Sequence, residues 1–383
     1  MSIMPSSLPG KFSAAKLSFF RDLKGESLKQ VSDDIGYSVT TISKWEKGRA
    51  VPGFEGILNL SKHFGVNHNF FLSKSIVPDF SGPIFFRKAA VLPKRKIIQA
   101  ESKERGYALV DNLLTNYLNL PQYLEPSYAN KSKDFNVLSY EFIDKVANNV
   151  RSQFELGDGP IANMTLIVER MGIRVKFEDL ESEKIDAING NILSRPYILL
   201  NSRRLSSVRI RFNLAHELGH VLLHSHYPNN VIANSSNRRT IESEANHFAG
   251  ALLMPDYGIS LDMIRSNMNF LIELKSHWKV AIQALIYRGN ELGLIADDQA
   301  LFLRQTIYRN KWRIREPLDD VIPIENPSYI QSAIKFTNND LSESVLESVS
   351  KDTGLSLAEV YSWLGEEFLT ENKRITVNGL RLL

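Results

Sequence analysis

Cysteine is absent from the 383-residue sequence. Without thiols there are no disulfides, which is compatible with the cytoplasm, and any bound zinc must be held by His, Asp or Glu. Closed structural zinc sites usually use thiolates, so the same absence favours catalysis over structure for any metal present. No run of about 18 apolar residues occurs, and no membrane-spanning helix is expected. Met1-Ser2-Ile3-Met4-Pro5 lacks a basic segment leading into an apolar one, so the expectation is a soluble, unexported, cytoplasmic protein. A formal charge of +3 is too small to argue for nucleic acid by itself. Internal repeats and low-complexity tracts are also missing. With 43% hydrophobic and 23% charged residues the composition is that of an ordinary globular protein, and the length calls for about two or three domains.

Against this background Arg211–His220 stands out, because it contains His216-Glu217-x-x-His220. On a helix, residues four apart lie one above the other, so both imidazoles can reach one metal ion. Leu214, Leu218, Val221 and Leu222 recur at helical spacing and supply a core-facing side. Glu217 lies beside the metal without binding it, placed to take a proton from water activated there. With eight histidines the motif arises by chance in roughly one such chain in a hundred.

A polar loop over 229–240 precedes a second helix with an apolar stripe at Ile241, Ala245, Phe248, Ala249 and Leu252. Glu242 shares the side of that stripe, and an inward carboxylate needs a partner such as a cation. Glu242 is therefore the expected third ligand, with Glu244 as the alternative. Asn246, one turn after Glu242, is placed to hydrogen-bond a ligating side chain. Ligand type alone leaves the ion open between Zn²⁺ and Mn²⁺. His224, His226, His247 and Tyr257 are the nearby candidates for stabilising an oxyanion.

These residues resemble the ImmA/IrrE family of metallopeptidases, whose hallmark is a His-Glu-x-x-His helix followed by Glu-x-x-Ala-Asn-x-Phe-Ala-x-x-Leu-Leu-Met-Pro. Here that segment is Glu242-Ser243-Glu244-Ala245-Asn246-His247-Phe248-Ala249-Gly250-Ala251-Leu252-Leu253-Met254-Pro255. Ile198-Leu199-Leu200-Asn201 before the helix and Leu222-Leu223-His224 after it also match. The resemblance covers about residues 140–260 and implies a zincin-like domain, a zinc endopeptidase activity and a transcriptional repressor as the usual protein substrate.

Near the amino terminus, Ser27 is a plausible N-cap for Leu28–Ile35, ended by Gly36, and Ser38 for Val39–Lys47, ended by Gly48. Helix, short glycine turn and helix is the helix-turn-helix arrangement, whose second helix enters the DNA major groove. Val31, Ile35, Ile42 and Trp45 are the expected core, leaving Ser38, Thr40, Thr41, Lys44 and Lys47 outward. The stretch resembles the Xre/Cro-like repressor family through Ile42-Ser43-Lys44-Trp45-Glu46-Lys47-Gly48 and the following Pro52, Leu58, Leu60, Phe64 and Gly65-Val66. That resemblance implies base or phosphate contacts at Ser38, Val39, Thr40 and Lys44, with Lys29 or Gln30 near the DNA backbone. The partner is then a double-stranded DNA operator, and a homodimer would read two half-sites about 34 Å apart. A packing or protein-docking module is the other use of such a bundle.

Between these regions, Ile84–Arg87 reads as a short strand or docking segment and Pro93 to about Leu120 as a long helix. The basic run over 87–105 fits a solvated face or a phosphate contact. A helix is expected over Tyr140–Val150 and another from Pro160 to Met171. Strands are expected over Ile173–Phe177, Ile188–Leu193 and Tyr197–Asn201, the last two joined near Arg195-Pro196. Their sheet offers an edge to which an extended peptide could add, with Gly190 either allowing close approach or marking a bulge. After Pro255 the chain returns to helices, with a basic and aromatic segment at 304–315, either amphipathic or able to hold single-stranded nucleic acid, and a helical hairpin over 338–370.

The expected fold class is mainly α with a small β-sheet (α+β). Expected domains are a helix-turn-helix domain (1–77), a connector with a long helix (78–139), a metallopeptidase domain (140–260) and a helical carboxy-terminal domain (261–383). The function these expectations compose is a DNA-binding, zinc-dependent endopeptidase of bacterial gene regulation that cuts a repressor or related regulator. The alternative is a non-cleaving repressor or antitoxin whose metal domain senses a signal or docks a partner.

Overall fold

The structure, a computed structural model, describes residues 11–88, 93–182, 185–203, 206–337 and 342–364. The amino-terminal pentapeptide, part of the basic run (the side chains of Arg87 and Lys88, and residues 89–92) and residues 338–341 and 365–370 of the expected hairpin lie outside them. In chain order the elements are α1 (Ala14–Lys24), α2 (Leu28–Ile35), α3 (Val39–Glu46), α4 (Phe54–Phe64), α5 (His68–Leu72), β1 (Phe80–Lys88) and α6 (Lys94–Leu114). Next come α7 (Tyr140–Gln153), α8 (Met164–Arg170), β2 (Arg174–Glu178), β3 (Ile185–Ile192), β4 (Arg195–Asn201), α9 (Ser207–Leu223), α10 (Asn229–Ala233) and α11 (Ser235–Leu253). The rest is helical: α12 (Asp256–Asp262), α13 (Met268–Trp278), α14 (Ile282–Glu291), α15 (Asp297–Arg309), α16 (Tyr329–Thr337), α17 (Ser342–Thr353) and α18 (Leu357–Leu364). Helices with one small sheet make this an α+β protein.

Two compact units divide the chain, and neither is a contiguous stretch of sequence. One comprises residues 1–80, 90–120 and 329–383, the other 81–89 and 121–328. In the first, local chemistry sets the helix ends. Ser27 and Gln30 form a reciprocal capping box at the start of α2, Ser38 accepts from the Thr41 amide at the start of α3, and Gly36 ends α2 in the left-handed conformation. Val31, Ile35, Ile42 and Trp45 are buried between them, as their spacing predicts. The same core takes in Leu109, Val110 and Leu114 from α6, Ile334 from α16, and Val345, Leu346, Val349 and Val360 from the last two helices, so α16 to α18 pack with the amino-terminal bundle.

In the second unit the sheet runs β1-β3-β4-β2, with β2 parallel and β3 antiparallel to β4. Gly190 pairs with Tyr197 in unbroken register, so it marks no bulge against β4. Leu214, Leu218 and Leu222 of α9 are fully buried in a core shared with β2, β4, α7 and α11. Near the start of α9, the buried guanidinium of Arg211 donates to the carbonyls of Ile161 (2.7 Å) and Lys279 (3.1 Å) and pairs with Glu325. One side chain thus ties the helix to three distant segments.

Three local expectations are corrected. Residues 229–240 are helical rather than loop: Asn234 ends α10 and its side chain accepts from the amides of Ser236 and Asn237, starting α11. Helix α8 begins at Met164 rather than Pro160, because Asn163 is the residue that caps it, accepting from Leu166 N. The β3–β4 turn falls on Leu193-Ser194, not Arg195-Pro196, and both turn residues have positive φ, 52° and 61°. Two-residue hairpins favour Asn-Gly here because non-glycine residues are strained in this region. Replacing the pair by Asn-Gly (L193N/S194G) should stabilise the protein by about 1 kcal/mol, read from urea unfolding at unchanged m-value; a lower midpoint would contradict the assigned turn.

Candidate metal centre and recognition helix

The distance between α9 and α11 decides whether any carboxylate can meet the histidines of α9. A Cβ on Gly219 would stand 3.0 Å from Phe248 Cδ1 and 3.3 Å from Ala245 Cα, so a bare backbone at this position lets the helices approach closely. Ala245, Phe248 and Ala249 are fully buried on the facing side of α11.

That packing brings His216, His220 and Glu242 together, with one donor atom from each lying within 4.8 Å of the others. The two Nε2 atoms are 3.1 Å apart, and the Glu242 oxygens stand 3.4 Å from His216 Nε2 and 3.9 Å from His220 Nε2. Donors at about 2.0–2.1 Å in a tetrahedral zinc shell sit about 3.3 Å from one another. The three residues therefore fit the donor set of a divalent ion. Burial of the two acids reverses the helix-face expectation: Glu244 is 1% exposed, whereas the Glu242 side chain keeps 32% of its surface. Glu244 does not join the cluster. It accepts from His224 Nε2 at 2.9 Å and from the Leu138 amide at 2.7 Å.

Those contacts orient His220. A carboxylate only accepts, so His224 Nε2 donates to Glu244, and burial keeps His224 below its ordinary value and neutral even though Glu244 pulls the other way. His224 Nδ1 is then an acceptor for His220 Nδ1–H, 3.0 Å away, which leaves the His220 Nε2 lone pair directed at the cluster. On His216, Nδ1 lies 2.9 Å from Asn246 Oδ1, the contact expected of Asn246, and the same tautomer follows. Both rings present Nε2 as neutral donors.

Glu217 is fully buried in the same helical turn, and its carbonyl accepts from Asn189 Nδ2 of β3 at 3.0 Å. Glu242 and Asn246 open onto a cleft of about 810 Å³ whose walls include Arg238, Arg239 and Tyr287. Of the expected oxyanion candidates, His224 is engaged as above, His226 bonds Glu125 (2.6 Å), His247 lies between Asp144 and Glu291, and Tyr257 is 67% exposed on α12. Among the arginines lining the cleft, Arg238, which sequence reading passed over, reaches β1. Its Nη2 donates to the Phe86 carbonyl of β1 at 3.0 Å. Phe85 of the same strand stacks on His220, ring centroids 4.5 Å apart and planes 13° from parallel. A sheet edge is expected to be offered to a peptide; at β3 that edge carries the chain's own β1.

In the other unit, Ser38, Val39, Thr40, Lys44 and Lys47 are exposed at or along α3 and Thr41 is half-buried. Ser38 and Thr41 hydroxyls bond each other at 2.9 Å, so the cap also fixes two of the proposed contacts. Lys29 and Gln30 are exposed on α2, with Gln30 held by its capping box.

Residues 168–290 match the family described as the IrrE N-terminal-like domain, Peptidase M78, and residues 19–71 match the helix-turn-helix family. The first match contains the whole His-His-Glu cluster and Glu217; the second contains α2 to α4. The chain therefore combines a metallopeptidase-family domain of ImmA/IrrE type with an Xre-like helix-turn-helix domain of the kind that binds DNA. No curated protein matches it. Among the described residues no helix is long and apolar enough to cross a membrane.

Two predictions follow from this geometry. Removing the ring that orients His220, in His224→Gln, should weaken metal binding about 10–100-fold, measured by competition with a chromogenic chelator; unchanged affinity would rule out the orienting role. On α11, His247 bonds Glu291 (2.6 Å) and Asp144 (2.9 Å) and stacks on Tyr140. Burial acts to lower the His247 pKa, but the two carboxylates raise it overall above 6.5. For Glu291, burial acts upward and the bonds to His247 and Arg288 bring it below 4.5. The histidine's contribution is complete below its unfolded pKa and fades as pH rises through the folded one. The glutamate's fades as pH falls below its ordinary value, so the pair stabilises most between the two. His247→Gln should cost more stability at about pH 5.5 than at about pH 9 in denaturant titrations, and an equal cost at both would show the imidazole is not charged.

Proposed function

We propose that this chain, which joins an IrrE-type peptidase domain to a helix-turn-helix domain, is a DNA-binding, zinc-dependent endopeptidase of bacterial gene regulation, acting in the cytoplasm on a transcriptional repressor or related regulator. The observation that carries this reading is the convergence of His216, His220 and Glu242 beside a buried Glu217. His216, His220 and Glu242 would hold the ion through two neutral rings and one carboxylate, a donor set too weakly charged to neutralise a divalent cation. Bound zinc supplies acidification of water to a pKa of about 7 and polarisation of the scissile carbonyl. Mn²⁺ is compatible with the same donors.

Glu217 takes the proton from the attacking water and returns it to the amine as the C–N bond breaks, so the step is balanced without another acid. Asn246, His224 and Glu244 hold the ligand rings in place. Arg238, already hydrogen-bonded to a peptide carbonyl, is positioned to hold a substrate backbone carbonyl. Ser38, Val39, Thr40, Thr41, Lys44 and Lys47 are the proposed face toward a double-stranded operator, with a homodimer providing the second half-site. Tethering the peptidase to DNA keeps it near regulators that occupy the same sites.

The non-cleaving reading, a repressor or antitoxin whose metal domain senses or docks, is favoured by one observation: β1 covers the sheet edge next to the cluster. Glu217→Gln separates the two. Cleavage of the repressor encoded beside this protein, followed by product masses, should fall about 10²–10⁴-fold while metal analysis shows the ion retained. If the wild type and this variant control a neighbouring promoter equally well, the non-cleaving reading is correct.

A further inference from the structure

Within the family-matched stretch 168–290 the sheet consists of β2, β3 and β4, with β3 outermost. The strand that covers β3 comes from outside that stretch. Residues 81–89 belong to the peptidase unit, whereas the chain before and after them belongs to the other unit.

Three kinds of contact fix β1, and together they are what an extended peptide needs to bind a sheet edge. Edge pairing is one: β1 lies beside β3 in the sheet, and the Ser81 hydroxyl donates to the Asn191 carbonyl of β3 at 3.2 Å. A carbonyl anchor is the second, from Arg238 to Phe86. The third is a side-chain pocket. Phe85 is 6% exposed, stacked on His220, and packs with Tyr227 and Ile241, with Phe135, Val231 and Ile232 around them. The ring of a metal-ligating histidine is thus one wall of an aromatic subsite. The occupying strand is nevertheless a weak one: Gly82 has no side chain to pack, and Pro83 has no N–H to give to a ladder, which restricts it to edges.

We propose that β1 is a resident pseudosubstrate. The site takes an extended polypeptide segment with a large aromatic or aliphatic side chain in the Phe85 pocket and the following carbonyl on Arg238, and such a segment enters only when β1 leaves. The inference deepens the endopeptidase reading and depends on it for the cut, though not for the binding.

The full-length protein tests it with two variants and a fluorescent peptide of residues 80–88, Phe-Ser-Gly-Pro-Ile-Phe-Phe-Arg-Lys, followed by anisotropy. Phe85→Ala weakens the resident strand and should bind the peptide about 10–100-fold more tightly than wild type does. The peptide carrying F85A should lose a similar factor. For the opposite perturbation, a Cβ at Gly82 would lie 3.9 Å from Asn191 Cβ, within disulfide reach. Because the chain has no cysteine, Gly82→Cys with Asn191→Cys gives one unambiguous crosslink. Oxidised, this variant should bind no peptide, and dithiothreitol should restore wild-type binding. Equal binding by wild type and Phe85→Ala, retained binding in the oxidised staple, or self-cleavage of the wild type between residues 81 and 89 would each overturn the proposal. If binding follows the expected pattern and no variant cuts a repressor, the pseudosubstrate stands and the endopeptidase reading falls; repressor cleavage without that pattern has the reverse meaning.

Discussion

A metal site on α9 depends on how near α11 can come, because the third donor lies on a different helix from the first two. That distance is set by apolar contact rather than by the donors themselves. Leucines 214, 218 and 222 are fully buried on α9, and Ala245, Phe248 and Ala249 on α11. Gly219, inside the histidine motif, leaves room for Phe248 and the Ala245 backbone. Burial of this kind is worth roughly 1.5–3 kcal/mol per large side chain, and it holds the two helices together, so the donors are placed by a packed core.

Around the cluster, charge is kept in check by directional bonds. Glu244 occupies the buried position on α11 and is satisfied by one imidazole and one amide, so it stays out of the metal cluster and acts through His224 on the orientation of His220. Glu242 is closer to the surface and faces the cleft. The division between a buried orienting acid and a more exposed donor acid follows from where each has partners. Local sequence, in which the two acids lie two residues apart, does not distinguish these environments.

Much of the framework was legible in the sequence, because it rests on short-range rules. Helical spacing placed His216 over His220, caps at Ser27 and Ser38 with stops at Gly36 and Gly48 outlined the amino-terminal bundle, alternating apolar residues marked β2, and a continuous apolar run marked β4. The preference for Glu242 was based on an inward position that Glu244 in fact holds, so residue choice and physical reason parted company. What sequence did not reveal depends on contacts far apart in the chain: the His224–Glu244 pair, Arg238 on a carbonyl of residue 86, Phe85 on His220, and the joining of α16 to α18 to the amino-terminal core. Periodicity carries no record of such pairings. The start of α11 was legible in capping chemistry, since Asn234 followed by Ser-Ser-Asn is a helix-start signal of the same kind as Ser27 and Ser38, whereas α10 begins after Pro228 without a side-chain cap.

The short strand supplied by residues 81–88 is anchored covalently at both ends, so its return to the sheet is an intramolecular event. Such a tethered segment competes with an effective concentration on the order of millimolar. A free polypeptide at micromolar abundance loses that contest even with equally good contacts. Under the pseudosubstrate proposal, a protein able to prevail would take a second hold elsewhere on the molecule and gain by avidity, so that discrimination would rest on two simultaneous attachments rather than on the few residues beside the cluster.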